Sequence, residues 1–212
     1  CHQVLGNPRV KWEDNCTPYL GRTYSEKNVL DALESFKDKL TVKKANDDKV
    51  IELLSNDDNV ISVFGGGSES GRRALGNRSI LCDPRSSDMK SIINEKVKHR
   101  QWFRPFAPSI LREHVGEWFE HDVDSPYMTV VLKWKDEVKD KVPAVVHLDG
   151  TGRLQTVTKN DNQWYYNFIK KFGDKTGVPI LLNTSFNDRE PIVETPEHAI
   201  NCFLNTDIDY LY

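Results

Sequence analysis

Val60-Ile61-Ser62-Val63-Phe64 runs straight into Gly65-Gly66-Gly67-Ser68-Glu69-Ser70-Gly71-Arg72-Arg73-Ala74-Leu75-Gly76-Asn77-Arg78-Ser79. The first five residues are β-branched and apolar enough for a short strand. Four of the next seven are glycine, which frees the backbone to turn several amides toward one point. Three arginines follow closely, and guanidinium is a natural bidentate partner of phosphate or carboxylate. The run is not a Walker A loop, since no Gly-Lys-Ser/Thr ends it. It is not the dinucleotide fingerprint either, because Ser70 stands where the third glycine would be. Its chemistry reads as an oxyanion loop, against the plainer alternative of a flexible loop capped by surface arginines.

Charge supports looking here. The 212 residues carry 29 Lys+Arg against 32 Asp+Glu, a formal net charge of -3. Residues 65–104 alone are net +5, while 1–64 are -2 and 105–212 are -6. A basic band inside an acidic chain is either an anion site or a solvated helix face. Hydrophobic residues at 38% and charged at 29% describe a soluble globular protein. No run approaches the ~20 apolar residues of a membrane span. Cys1, Cys16, Cys82 and Cys202 form no CxxC or zinc spacing, which suits a reduced, cytoplasmic protein. His147 and Asp149 could share a metal, but a hydrogen-bonded surface pair is the commoner outcome, and no metal ligands are assigned. A start at Cys1 instead of Met leads us to expect a fragment or processed product.

Three further segments carry candidate chemistry. Lys98-His99-Arg100-Gln101-Trp102-Phe103-Arg104-Pro105-Phe106-Ala107-Pro108 interleaves cations with aromatics, as single-stranded nucleic-acid binders do. Two prolines in four residues instead suggest a rigid turn into a strand, suited to a small-anion pocket. The acidic remainder of the chain argues against nucleic acid. His147-Leu148-Asp149-Gly150-Thr151-Gly152-Arg153 reads as a tight turn with an arginine just beyond it. The apolar run 178–182 empties into Asn183-Thr184-Ser185-Phe186-Asn187, polar groups where open α/β sheets tend to bind ligands, or simply a hydrogen-bonded turn. No Ser-His-Asp order or activated cysteine indicates a covalent nucleophile.

Periodicity predicts helices beginning after Ser25 (Val29, Leu33, Phe36, Leu40), over 49–54, 87–98 and 162–172, and from Thr195-Pro196 to 204. Strands are expected at 60–64, 109–111, 127–134, 144–148, 154–158, 178–182 and 208–212. This mixture indicates an α/β or α+β domain around a mixed sheet.

Together, 71–85 (GRRALGNRSILCDPR), 94–111 (NEKVKHRQWFRPFAPSIL), 147–157 (HLDGTGRLQTV) and 177–193 (GVPILLNTSFNDREPIV) resemble the C-terminal domain of the NodU-type O-carbamoyltransferases. Tyr19-Leu20-Gly21 with Tyr24-Ser25 resembles the family's lead-in to that domain. Two departures are Ser70-Gly71-Arg72 where the family has Phe-Gly-Pro, and the lack of a glycine near Asp188-Arg189. The resemblance implies a YrdC-like fold, a twisted mixed sheet flanked by helices around a basic cavity. Residues 1–23 would be a linker from an N-terminal domain and 24–212 the carbamoyl-activating domain. It implies that carbamoyl phosphate and ATP, with Mg2+ expected, give carbamoyl-adenylate, and that the N-terminal domain passes carbamoyl to a hydroxyl acceptor. The family's iron or other metal site is expected in that N-terminal domain. Carried over by motif, the pocket residues are Arg73, Lys98, Arg104, Arg153 and Ser185, with Asn183 helping to read the amide. Arg78, Arg100 and Asn187 are second-rank, touching phosphate or bracing the pocket. A catalytically silent RNA-binding module is the alternative function, and a homodimer is left open.

Overall fold

The computed structural model describes Gly6 and residues 17–212. Cys1, Cys16, His2 and most of the expected linker lie outside the described residues. Helix α1 (Glu26–Ser35) begins at Ser25, whose hydroxyl accepts the Asn28 amide while Asn28 bonds back to the Ser25 amide. The helix stops at Phe36, so Leu40 lies beyond it. Helix α2 (Asp47–Asn56) is capped by Asn46. Strands β1 (Ile61–Phe64) and β2 (Arg78–Cys82) flank the glycine loop. Helix α3 (Met89–Ile92) passes into a wide π turn, Ile93–Val97, before β3 (Ala107–Leu111). Then come α4 (Val115–Trp118), β4 (Val130–Lys133), β5 (Thr151–Val157), α5 (Gln163–Thr176), β6 (Ile180–Ser185), α6 (Pro196–Leu204) and β7 (Tyr210–Leu211).

The sheet order is β4-β5-β3-β6-β2-β1-β7. Only β3/β5 and β1/β7 are parallel. Successive residues point to opposite faces. Ile80, Cys82, Ile180 and Leu182 therefore join one core, while Leu81 and Leu181 join the other beneath α2 and α5. A strand buried on both faces reads as an unbroken apolar run.

One strand was not expected, and three expectations need correction. Strand β2 was hidden behind the loop, because its first residue is an arginine and its apolar run is short. The segment expected as strand 144–148 is a 3-10 turn, Pro143–Val145, since the proline fixes φ and removes a ladder donor. The 87–98 helix is α-helical for one turn and then widens. Asn183 and Ser185 stand inside β6, not past its end.

That last correction shapes the site. Residue register places Asn183 between Leu81 of β2 and Ala107 of β3, and Ser109 opposite both Leu181 and Gln155. The face that is apolar at Leu81, Leu181, Leu111 and Val157 thus turns polar at Ser79, Ser109, Gln155, Asn183 and Ser185. Helices α2 and α5 pack on the apolar half. Residues Ala74 to Gly76 lie over the polar half.

Candidate functional site

Three buried side chains fasten the glycine-arginine loop to the sheet. Asn183 donates to Ala74 O at 3.2 Å, Gln155 donates to Leu75 O at 2.9 Å, and Ser79 Oγ accepts the Gly76 amide at 2.9 Å. Asn183 also donates to Ser109 Oγ and to Gln155 Oε1. Its amide nitrogen is therefore engaged within the protein, and it anchors the residue next to Arg73. Gly76 needs its positive φ of 127°, and a Cβ there would sit 2.5 Å from the Tyr165 ring.

The amides of this loop do converge, but on the chain's own carboxylate. Glu69 Oε1 accepts from the amides of Leu75 at 2.8 Å, Asn77 at 2.9 Å and Arg78 at 3.3 Å. The oxyanion that the glycines prepare for is thus supplied internally, which locks the turn. Arg78 is fully buried. Its guanidinium donates to the carbonyls of Gly65 at 2.6 Å, Asn77 at 3.0 Å, Gly66 at 3.3 Å and Arg22 at 3.4 Å. It also lies 3.9 Å from the Phe64 ring centroid. That geometry braces the loop. Part of the expected linker belongs to the same assembly: Ser70 N bonds Pro18 O at 2.6 Å, and Gly21 N bonds Ser68 O at 2.9 Å.

Lys98 enters from the end of the π turn and is buried, 6% exposed. Its ammonium donates to Ser185 O at 2.5 Å, Asn187 O at 2.6 Å and Asn187 Oδ1 at 2.8 Å. Asn187 Oδ1 also accepts the Ser185 hydroxyl at 2.6 Å. Burial, and then the nearby charge of Arg100, bring Lys98 down to about 7.

The remaining cations connect to it through mutual repulsion. Burial and then Arg104 and Arg153 lower the Arg100 guanidinium. Burial and then Arg73 lower that of Arg153. Arg100 donates to Asn94 Oδ1 at 2.7 Å and lies over Phe106 at 4.8 Å. Exposure grades from buried Lys98, through half-buried Arg73, Arg100 and Arg153, to exposed Arg104. Among the described residues no carboxylate pairs with any of these five cations. The ion pairs fall elsewhere, as at Arg85–Asp83 and Arg112–Asp122. Unpaired, half-buried like charges cost stability, so a dianionic ligand would relieve them. Two cavities, of about 460 and 360 Å3, are lined by Asp188, Glu190 and Cys202 and by Glu113, Trp118 and Lys170. None of the five cations lines either one.

Among the described residues no three of His, Cys, Asp and Glu are grouped to hold a metal ion. His147 Nδ1 instead lies 3.0 Å from Thr151 Oγ1, and Asp149 accepts that hydroxyl at 2.7 Å. Sequence reading missed Glu69, Asn94, Ser109 and Gln155. Each lies within or beside a quoted motif, but only the tertiary contacts reveal its bonds.

A family model described as carbamoyltransferase C-terminus matches residues 51–212. The chain belongs to that family. This carbamoyltransferase C-terminus is 38% identical to an uncharacterised Synechocystis protein across 99% of the chain and 38% of that protein. It is 51% identical to the nodulation protein NolNO of Sinorhizobium fredii, across 69% of the chain and 22% of NolNO. The chain thus spans well under half the length of these relatives. Among solved structures, full-length HypF in its phosphate- and nucleotide-bound form matches with a TM-score of 0.54. That match has 16% identity and covers 84% of this chain and 27% of HypF, a likeness of fold. The mixed α/β architecture expected from the resemblance is thereby shown. No helix among the described residues is long and apolar enough to cross a membrane.

Proposed function

We propose that this carbamoyltransferase C-terminus binds carbamoyl phosphate and ATP and forms carbamoyl-adenylate, for transfer of carbamoyl to a hydroxyl acceptor by a further domain. The observation that carries the reading is the set of five neighbouring cations, Arg73, Lys98, Arg100, Arg104 and Arg153, without a carboxylate partner among the described residues. Such a set suits a small dianion and the charge that develops on phosphoryl oxygens. Water displaces phosphate from the carbamoyl group, a carbamate oxygen attacks the α-phosphorus of ATP, and pyrophosphate leaves. The cations bind and orient these anions. Ser185, bonded to Asn187, presents its oxygen to the planar amide. The cluster offers nitrogen cations and no carboxylate trio, so its residues do not fit a resident metal; Mg2+ would arrive with the nucleotide.

Calorimetric titration of carbamoyl phosphate into wild type and Arg104→Ala tests the site. A loss of about 2–4 kcal/mol per central arginine in turnover is expected, with weaker binding. Equal affinity in the two proteins would sink the assignment. Pyrophosphate release from ATP and carbamoyl phosphate tests the chemistry.

A second reading, an RNA-binding module, draws on Trp102 and Phe103, which are 62% and 51% exposed beside Arg100 and Arg104. It requires RNA binding that weakens steeply with salt. Absence of binding at low salt removes it.

A further inference from the structure

Asn94 is fully buried in the π turn, yet four hydrogen bonds tie it to one loop, residues 100–104. Its Nδ2 donates to Trp102 O and to Arg104 O, each at 3.1 Å. Its Oδ1 accepts Arg100 Nε at 2.7 Å, and its carbonyl accepts the Arg100 amide at 2.9 Å. We infer that Asn94 is the positioning residue of the anion site, clamping residues 100–104 so that Arg100 and Arg104 are presented together beside Arg153. This rests on the anion-binding reading above.

The chemistry of the side chain fits the task closely. Two carbonyls and one guanidinium N–H must be met from one buried point, which needs two donors and one acceptor. An amide supplies them. Aspartate has the same shape and keeps the Arg100 contact but has no donors, and serine is too short to span the loop. The approach is also costly. His99 adopts φ +44°, a left-handed conformation uncommon outside glycine, where the chain reverses between Lys98 and Arg100. The widened turn, closed by Lys98 N to Ile93 O at 2.9 Å, contains Asn94 as its second residue. Helix ending alone requires none of this. The Arg104 guanidinium is exposed and has no carboxylate partner among the described residues, while Asn94 holds its backbone carbonyl.

The test compares wild type, Asn94→Asp and Asn94→Ser. Carbamoyl phosphate and inorganic phosphate are titrated calorimetrically well below each protein's unfolding midpoint. A fluorine resonance from 5-fluorotryptophan at position 102, assigned by Trp102→Phe, reports loop order. Because misplacement of ~1 Å can cost ~100-fold, both variants should bind about 10- to 100-fold more weakly, with a narrowed Trp102 resonance. Affinity within about twofold of wild type in folded Asn94→Asp would leave Asn94 a structural tie and overturn the inference, even if its unfolding midpoint fell. Should Asn94→Ser fail to fold, the neutral Asn94→Leu decides, since Asn94→Asp also sets a negative charge on Arg100 that weakens anion binding by itself. If wild type binds neither anion, the anion-site reading falls and this inference with it. If wild type binds and the variants match it, only this inference falls.

Discussion

Lys98 Nζ lies 2.5 Å from the carbonyl oxygen of Ser185, 87 residues away in sequence. This contact joins the end of the π turn to the end of β6, and Asn187 closes it from the other side. A buried ammonium held by neutral oxygens keeps its charge only as far as burial and Arg100 allow.

Lys98 therefore gives a pH dependence with a defined sign. Its folded pKa, about 7, is below the ordinary 10.5. Between these values the unfolded chain binds more protons, so stability should rise with pH across that window and flatten above it. Binding of sulfate, which does not titrate there, should weaken as pH rises through about 7. Denaturant unfolding and sulfate titration from pH 6 to 10 check both. Lys98→Met should abolish both slopes; persistence of either would place the titration elsewhere.

Arg73 and Arg78 are five residues apart and should behave oppositely. Arg78→Ala removes a buried guanidinium from four carbonyls and should cost about 3 kcal/mol of stability. Arg73→Ala should change stability by less than about 0.5 kcal/mol, as at other sites without such partners, while weakening carbamoyl phosphate binding. Thermal unfolding with calorimetry on both variants separates bracing from binding.

Glu69→Ala leaves the amides of Leu75, Asn77 and Arg78 without their acceptor. Loss of about 1–3 kcal/mol is expected, together with faster hydrogen exchange at those amides. An unchanged exchange pattern would show that the loop is held by its sheet contacts alone. Added phosphate should partly restore the midpoint in this variant, since the vacated amides would accept an external anion.

Gly76→Ala should be the most damaging small substitution in the loop. It combines a positive φ with a Cβ 2.5 Å from the Tyr165 ring. The cost should reach about 1–3 kcal/mol from overpacking, before any backbone strain. A midpoint within a degree of wild type would show that Tyr165 yields easily.

Much of the fold is legible in the sequence, and for definite reasons. Ser25, Thr195-Pro196 and the α5 aromatics signal helices through local rules of capping and period. The α5 pattern places Phe168 and Phe172 in one core, as found. Strand β2 was not legible, because a buried arginine opening a strand looks locally like more loop. The residues 144–148 misled for the opposite reason: an apolar run can be buried without pairing. Of the candidate site residues, position in a motif identified the cations. It does not tell Arg73, half-buried and without a carboxylate partner among the described residues, from Arg78, buried against carbonyls.

Sequence by itself determined the family, the residue types of the site and the +5 band that concentrates them, since motif order and charge are properties of the linear chain. Tertiary structure alone decided which of these charges are spent on the fold. Glu69 fills the amide nest and Arg78 staples the loop, while Asn183 and Gln155 hold it to the polar half of the sheet. Among the described residues Arg73, Arg100, Arg104 and Arg153 are left without a carboxylate partner beside Lys98. Whether a cation is free depends on which acceptors surround it in space, and these can lie far away in the chain, as Ser185 does from Lys98 at a separation of 87 residues.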